Sequence, residues 1–136
     1  MRDITMSNEE FCSIYDIRFL MKRGIILSPP LWRTLKAVID LKKATAEDLA
    51  KVTGRPRTIE SRYLAELNRL GLIARRRISR KVYYIEAITA VKEALDEYGG
   101  VPIEQLAHQI SLPADIVRLI VEKLKNSGET SETSEG

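Results

Sequence analysis

AEDLAKVTGRPRTIESRYLAELNRLGLIARRRISRKVYYI, running from Ala46 to Ile85, is the stretch that decides the fold. Thr45 suits the cap of a short helix over 46–52, because its hydroxyl accepts from a first-turn N–H that has no intrahelical partner. Thr53-Gly54-Arg55-Pro56 then breaks the chain. A longer helix is predicted over 56–70 and ends at Gly71, a residue that tolerates the left-handed conformation of a helix stop. Leu72-Ile73, a run of arginines and Val82-Tyr83-Tyr84-Ile85 read as two strands joined by a very short turn. Short helix, turn with glycine, longer helix and two-stranded ribbon is the order of a helix-turn-helix followed by a wing.

On either side the pattern stays helical. Ser7-Asn8-Glu9-Glu10 has capping-box spacing, Phe11, Ile14, Arg18 and Met21 follow at helical intervals, and Gly24 is a stop. Ile25-Ile26-Leu27 reads as a short edge strand. Ser28-Pro29-Pro30 opens a helix reaching about Leu41, since proline is tolerated in a first turn. Beyond the ribbon, helices are predicted over 87–98, 102–110 and 113–125, and the polar 129–136 tail is expected to be disordered. The expected class is therefore mainly α with a small β-wing, in four parts: 1–27 a leading helix and strand, 28–86 the winged helix-turn-helix, 87–128 a second three-helix unit, and the tail.

The second unit resembles a degenerate copy of the first. A shift of 57 positions lays Glu104, Leu106, Ala107, Pro113, Ile116, Leu124 and Gly128 over Glu47, Leu49, Ala50, Pro56, Ile59, Leu67 and Gly71. Duplication and the shared grammar of any helix-turn-helix both explain these matches. Either way the outward face changes, because Arg57, Thr58, Ser61, Arg62 and Ala65 become Ala114, Asp115, Arg118, Leu119 and Glu122. That face suits packing or protein contact better than phosphate.

Charge is distributed unevenly. The net is only +3, yet residues 51–85 hold ten basic and two acidic residues, whereas 86–136 hold four and ten. A basic middle beside an acidic end points to a polyanionic partner for the middle. At about 100° per residue, Ile59, Tyr63, Leu64, Leu67 and Leu70 form the core stripe of the longer helix, flanked by Glu60 and Glu66. Arg57, Thr58, Ser61, Arg62, Ala65 and Arg69 face outward. Such a basic, hydroxylic and small face suits phosphates and base edges in a major groove. In the ribbon, Arg75-Arg76-Arg77-Ile78-Ser79-Arg80-Lys81 packs five cations into seven residues. Cations on both faces of a strand suit a ribbon projecting into solvent or onto a polyanion. Its tip lacks the Gly or Asn of a tight hairpin, which predicts a short or irregular wing.

Three segments carry a family resemblance: Ala46 to Ala50, Thr58 to Leu64 and Leu67 to Ile73. They resemble the winged helix-turn-helix regulators of bacteria and archaea, the MarR-like and ArsR-like proteins among them. The resemblance covers about 40 residues, and its most specific piece is the Leu-x-x-Leu-x-x-Leu-Gly-Leu-Ile pattern of Leu64 to Ile73. It implies sequence-specific binding of double-stranded DNA and regulation of transcription, with 56–70 in the major groove and 73–85 on the backbone or in the minor groove. The contact set expected is Arg55, Arg57, Thr58, Ser61, Arg62, Arg69, Arg75, Arg76, Arg77, Arg80 and Lys81. A non-specific architectural or RNA-binding module, and a protein-interaction module of a transcription or replication assembly, fit the same charge.

The leading helix has apolar residues on more than one face, so Phe11, Ile14, Phe19 and Met21 are expected to contact a second copy in a homodimer. Burial under the second unit is the alternative. His108 is the only histidine and Cys12 the only cysteine, so no zinc tetrad or Cys-His pair forms within one chain. No phosphate loop or nucleophile elbow is present. The reading is of a non-enzyme without cofactor or metal, free of membrane spans and located in the cytoplasm on the nucleoid. The sequence names no small-molecule effector.

Overall fold

A computed structural model of the chain describes residues 13–126. The capping box at Ser7 to Glu10, Phe11 and the tail at 129–136 lie outside the described residues. The fold is mainly helical with one small antiparallel sheet. A 3₁₀ turn, Ser13–Tyr15, precedes α1, Ile17–Lys22, and α2 spans Pro29–Leu41. Strand β1, Lys43–Ala44, leads into α3, Ala46–Thr53, and α4, Arg57–Arg69. The ribbon is β2, Ile73–Ile78, with β3, Lys81–Glu86. Then come α5, Ala87–Tyr98, α6, Ile103–Ile110, and α7, Ala114–Asn126.

Local chemistry sets these boundaries. Thr45 and Asp48 form a reciprocal capping box at the start of α3, and Gly54 closes that helix at φ +78°. Around the start of α5 the cap is Glu86, a buried carboxylate that accepts from the N–H groups of Ile88 and Thr89 and from the Thr89 hydroxyl. An acid is well placed there, because its charge meets the positive end of the helix dipole.

Two expectations fail near the start. The leading helix is not continuous: Asp16 caps α1 by accepting from the Arg18 N–H, which separates α1 from the preceding 3₁₀ turn. Ile25 to Leu27 forms no strand, and the third strand is instead Lys43–Ala44, which pairs with Tyr84 and Ile85. The ribbon is more regular than its sequence suggests. Six residue pairs run in register from Ile73↔Glu86 to Ile78↔Lys81, with Ser79 taking the left-handed conformation at φ +58° that glycine usually supplies.

One buried cluster reaches from Ile14 to Leu124 and holds the whole described chain together. Leu35, Val38, Leu49, Leu64 and Leu67 join α2, α3 and α4; Ala90, Val91, Ala94, Leu106, Ile116 and Leu124 join α5, α6 and α7. Polar ties cross between the two groups. The Asn68 amide donates to the carbonyls of Ile73 and Ser111, both at 2.9 Å. Tyr15 lies between them, its hydroxyl donating to the Leu72 carbonyl at 2.9 Å and accepting from the Ala87 N–H at 3.1 Å. The leading segment is thus fastened onto its own chain.

This placement corrects the expected contact set for a second copy. Ile14 is 1% exposed and belongs to the core of its own chain, and Phe19 is half-buried against that core. Among the described members only Met21, 65% exposed, is open to a partner, with Ile17 beside it one turn away. No helix among the described residues is long and apolar enough to cross a membrane.

Candidate nucleic-acid interface

Helix α4, the turn before it and the ribbon hold the expected contact residues. The core-facing line of α4 is Glu60, Leu64 and Leu67, all fully buried, while Ile59, Tyr63 and Leu70 are only half-buried. The helix is therefore rotated from the predicted stripe, with Glu60 at its centre instead of its flank. At about 100° per residue this rotation turns Thr58, Arg62, Ala65 and Arg69 directly outward and brings Arg57 and Ser61 round to one side. Arg57, Thr58, Arg62, Ala65 and Arg69 are exposed, and Ser61 is half-buried.

On that side stands the ribbon. Arg75 pairs across the strands with Tyr84 and Arg77 with Val82, and residues two apart on a strand share a face. Between this face, the side of α4 and the first turn of α3 lies an open cleft of about 420 Å³ lined by Thr45, Ala46, Glu47, Arg57, Ser61, Arg75, Arg80, Lys81, Val82 and Tyr84. Four cations and one acid surround it. The first turn of α3 adds the N–H groups of Ala46 and Glu47, which have no intrahelical acceptor.

The cations of this region divide by whether they already hold an acid. Arg57, Arg62, Arg75, Arg77, Arg80 and Lys81 have no acidic partner among the described residues, and the cleft collects four of these six. Three expected contact residues are engaged. Arg69 is held 2.5 Å from Glu66 on the surface of α4, where the pair lowers the carboxyl's proton affinity and raises the guanidinium's. Arg76 points to the opposite face of the ribbon, 3.1 Å from Glu97 and with its guanidinium 6.0 Å from the centre of the Tyr98 ring. The cations that line the cleft are thus the free ones, while Arg76 is engaged on the side of the ribbon that α5 covers.

Arg55 departs furthest from expectation. It lies 3.2 Å from Glu60 Oε2, donates to Thr34 Oγ1 at 3.0 Å, and stacks its guanidinium 5.1 Å from the centre of the Tyr63 ring. The carboxylate it meets is 0% exposed and also accepts from the hydroxyls of Thr34 at 2.7 Å and Thr53 at 2.5 Å. This network joins α2, the end of α3 and the start of α4. Sequence reasoning missed it, although a glutamate four residues before Leu64 and seven before Leu67 falls on the apolar line and was the available signal.

Among the described residues no group of three or more His, Cys, Asp or Glu side chains is placed to hold a metal ion. No family model and no solved structure matches the chain. Over 53 residues it is 45% identical to an uncharacterized protein of Archaeoglobus fulgidus, a match that spans 39% of this chain and 72% of that protein. At that identity and coverage, the chain belongs to one family with the Archaeoglobus protein.

Proposed function

We propose that the chain binds double-stranded DNA as a winged helix-turn-helix protein, with α4 in the major groove and the β2–β3 ribbon along the adjacent backbone or minor groove. The observation that carries this reading is the sorting of cations. Arg55, turned inward, Arg76, turned toward α5, and Arg69 beside Glu66 are paired with acids, whereas six other cations of α4 and the ribbon are not, and four of those six line one cleft. Unpaired cations around a cleft cost stability by mutual repulsion, a cost recovered when a polyanion binds them and releases its own condensed counterions to solvent. Thr58, Ser61 and Arg62 supply the donors and acceptors that base edges require.

Sequence-specific regulation of transcription is the function that the family resemblance adds to this binding. A homodimer is the assembly that fits it, with Met21 and Ile17 at the contact, and would set two reading helices about 34 Å apart on the duplex. Fluorescence anisotropy of labelled duplexes of several sequences, and of RNA, against salt tests the proposal. DNA binding predicts log affinity falling linearly with log salt; equal affinity for every duplex points to the architectural alternative, preference for RNA to the RNA-binding one. No affinity for duplex at low salt rejects the proposal.

A further inference from the structure

A buried carboxylate is costly unless every lone pair finds a donor, and Glu60 has been given three partners from three different segments. We infer that Glu60, with Arg55 and Thr34, is a positioning device for the reading helix: it fixes the first turns of α4 so that Arg57, Thr58, Ser61 and Arg62 meet base edges in one register. This rests on the duplex-binding reading above.

The geometry supports a directional role. Arg55 precedes α4 by two residues, and its guanidinium bridges the Pro30 carbonyl at 3.4 Å, Thr34 Oγ1 and Glu60 Oε2, tying the entry of α4 to the first turns of α2. Thr53 closes the other side, its hydroxyl on Glu60 and the Leu49 carbonyl, while the carbonyl of Thr53 accepts from Arg33 Nη2 at 2.8 Å. Tyr63, one turn beyond Glu60 on α4, stacks its ring against the Arg55 guanidinium. The turn from Thr53 to Pro56 is thus held from both ends by hydrogen bonds whose angles an apolar cluster does not specify. Side chains on adjacent turns of the same helix move with it, and a tilt displaces Arg62 and Thr58 from any base edge while leaving their charge near the backbone. A bidentate base contact needs both donors aligned, whereas a phosphate contact tolerates displacement.

The test separates register from charge. Sites are first selected from random duplex DNA with the wild-type chain. Arg55→Met with Glu60→Gln removes both charges together, so no uncompensated ion stays buried. The double variant is expected to melt cooperatively, to bind random duplex with an unchanged salt slope, and to lose the preference for selected over random sites by about tenfold or more. Thr34→Val, a milder change, is expected to lose part of the same preference and serves where the double variant does not fold. A preference unchanged in a folded variant overturns the inference alone. A salt slope that falls by about 0.9 shows Arg55 on a phosphate and also overturns it. Failure of the wild type to bind duplex overturns the inference together with the function it rests on.

Discussion

Gly71→Ala puts the join between the two groups of helices under load. Gly71 sits at φ +82°, and a Cβ built on it lies 2.8 Å from Cγ and 3.1 Å from Cδ of Pro113. Two costs follow. Alanine in the left-handed region costs about 1–2 kcal/mol, and forcing a methyl against a proline ring, which has little freedom to retreat, costs about 1–3 kcal/mol more. The sum, about 2–5 kcal/mol, is a large part of the stability of a domain this size. Urea or thermal unfolding measures it. The decisive version is a double-mutant cycle with Pro113→Ala: removing the ring spares the steric part, so Gly71→Ala is then expected to cost only the conformational part, about 1–2 kcal/mol. An identical cost in both backgrounds refutes the packing of α7's entry onto the end of α4.

Tyr15→Phe removes the donor to Leu72 and leaves the buried Ala87 N–H without its acceptor; it is expected to cost about 1–3 kcal/mol in unfolding experiments, and a neutral result contradicts the docking of the leading segment. The carboxyl of Asp115 titrates below its ordinary range because of its hydrogen bond and charge contact with Arg23, 2.6 Å away. A lowered folded-state value means that the stabilisation is present above the unfolded value and disappears as pH falls through the folded one. Asp115→Asn is therefore expected to cost under about 1 kcal/mol at neutral pH, the pair being largely exposed, and progressively less as pH falls through the folded-state value. Arg75→Ala and Arg76→Ala part company: the first is expected to lower the DNA salt slope by about 0.9, the second to leave it unchanged and to lower the melting midpoint through loss of Glu97 and Tyr98.

The helices were legible in the sequence because each has its own local punctuation. Thr45, Gly54, Gly71 and the Ser28-Pro29-Pro30 opening mark ends that the structure keeps within a residue or two. The turn of Arg57 and Ser61 toward the ribbon was not legible, because helical period put Glu60 on the flank of the stripe when it lies at its buried centre. What stayed hidden depends on partners far along the chain. A two-residue strand such as Lys43–Ala44 has no period to detect and exists only because β3 offers an edge. Arg55 and Arg76 look like their free neighbours in a basic run; what distinguishes them is Glu60 and Tyr63 for one, Glu97 and Tyr98 for the other. Ile14 reads as an exposed helix position until Tyr15 is seen to dock on Leu72 and Ala87. Charge patterning thus marked the basic segment, while the division of its cations into free and engaged needed the third dimension.

If the free cations of α4 and the ribbon form a phosphate-binding surface, duplex binding weakens with salt in proportion to their number. With six such cations per chain, the slope of log affinity against log salt is predicted to approach about −5 per chain for the wild type, at about 0.9 per contact. Replacing Arg57, Arg75, Arg80 and Lys81 together by alanine is predicted to flatten it to about −2. Absent binding at low salt, or a slope indifferent to those four substitutions, contradicts phosphate binding by this surface.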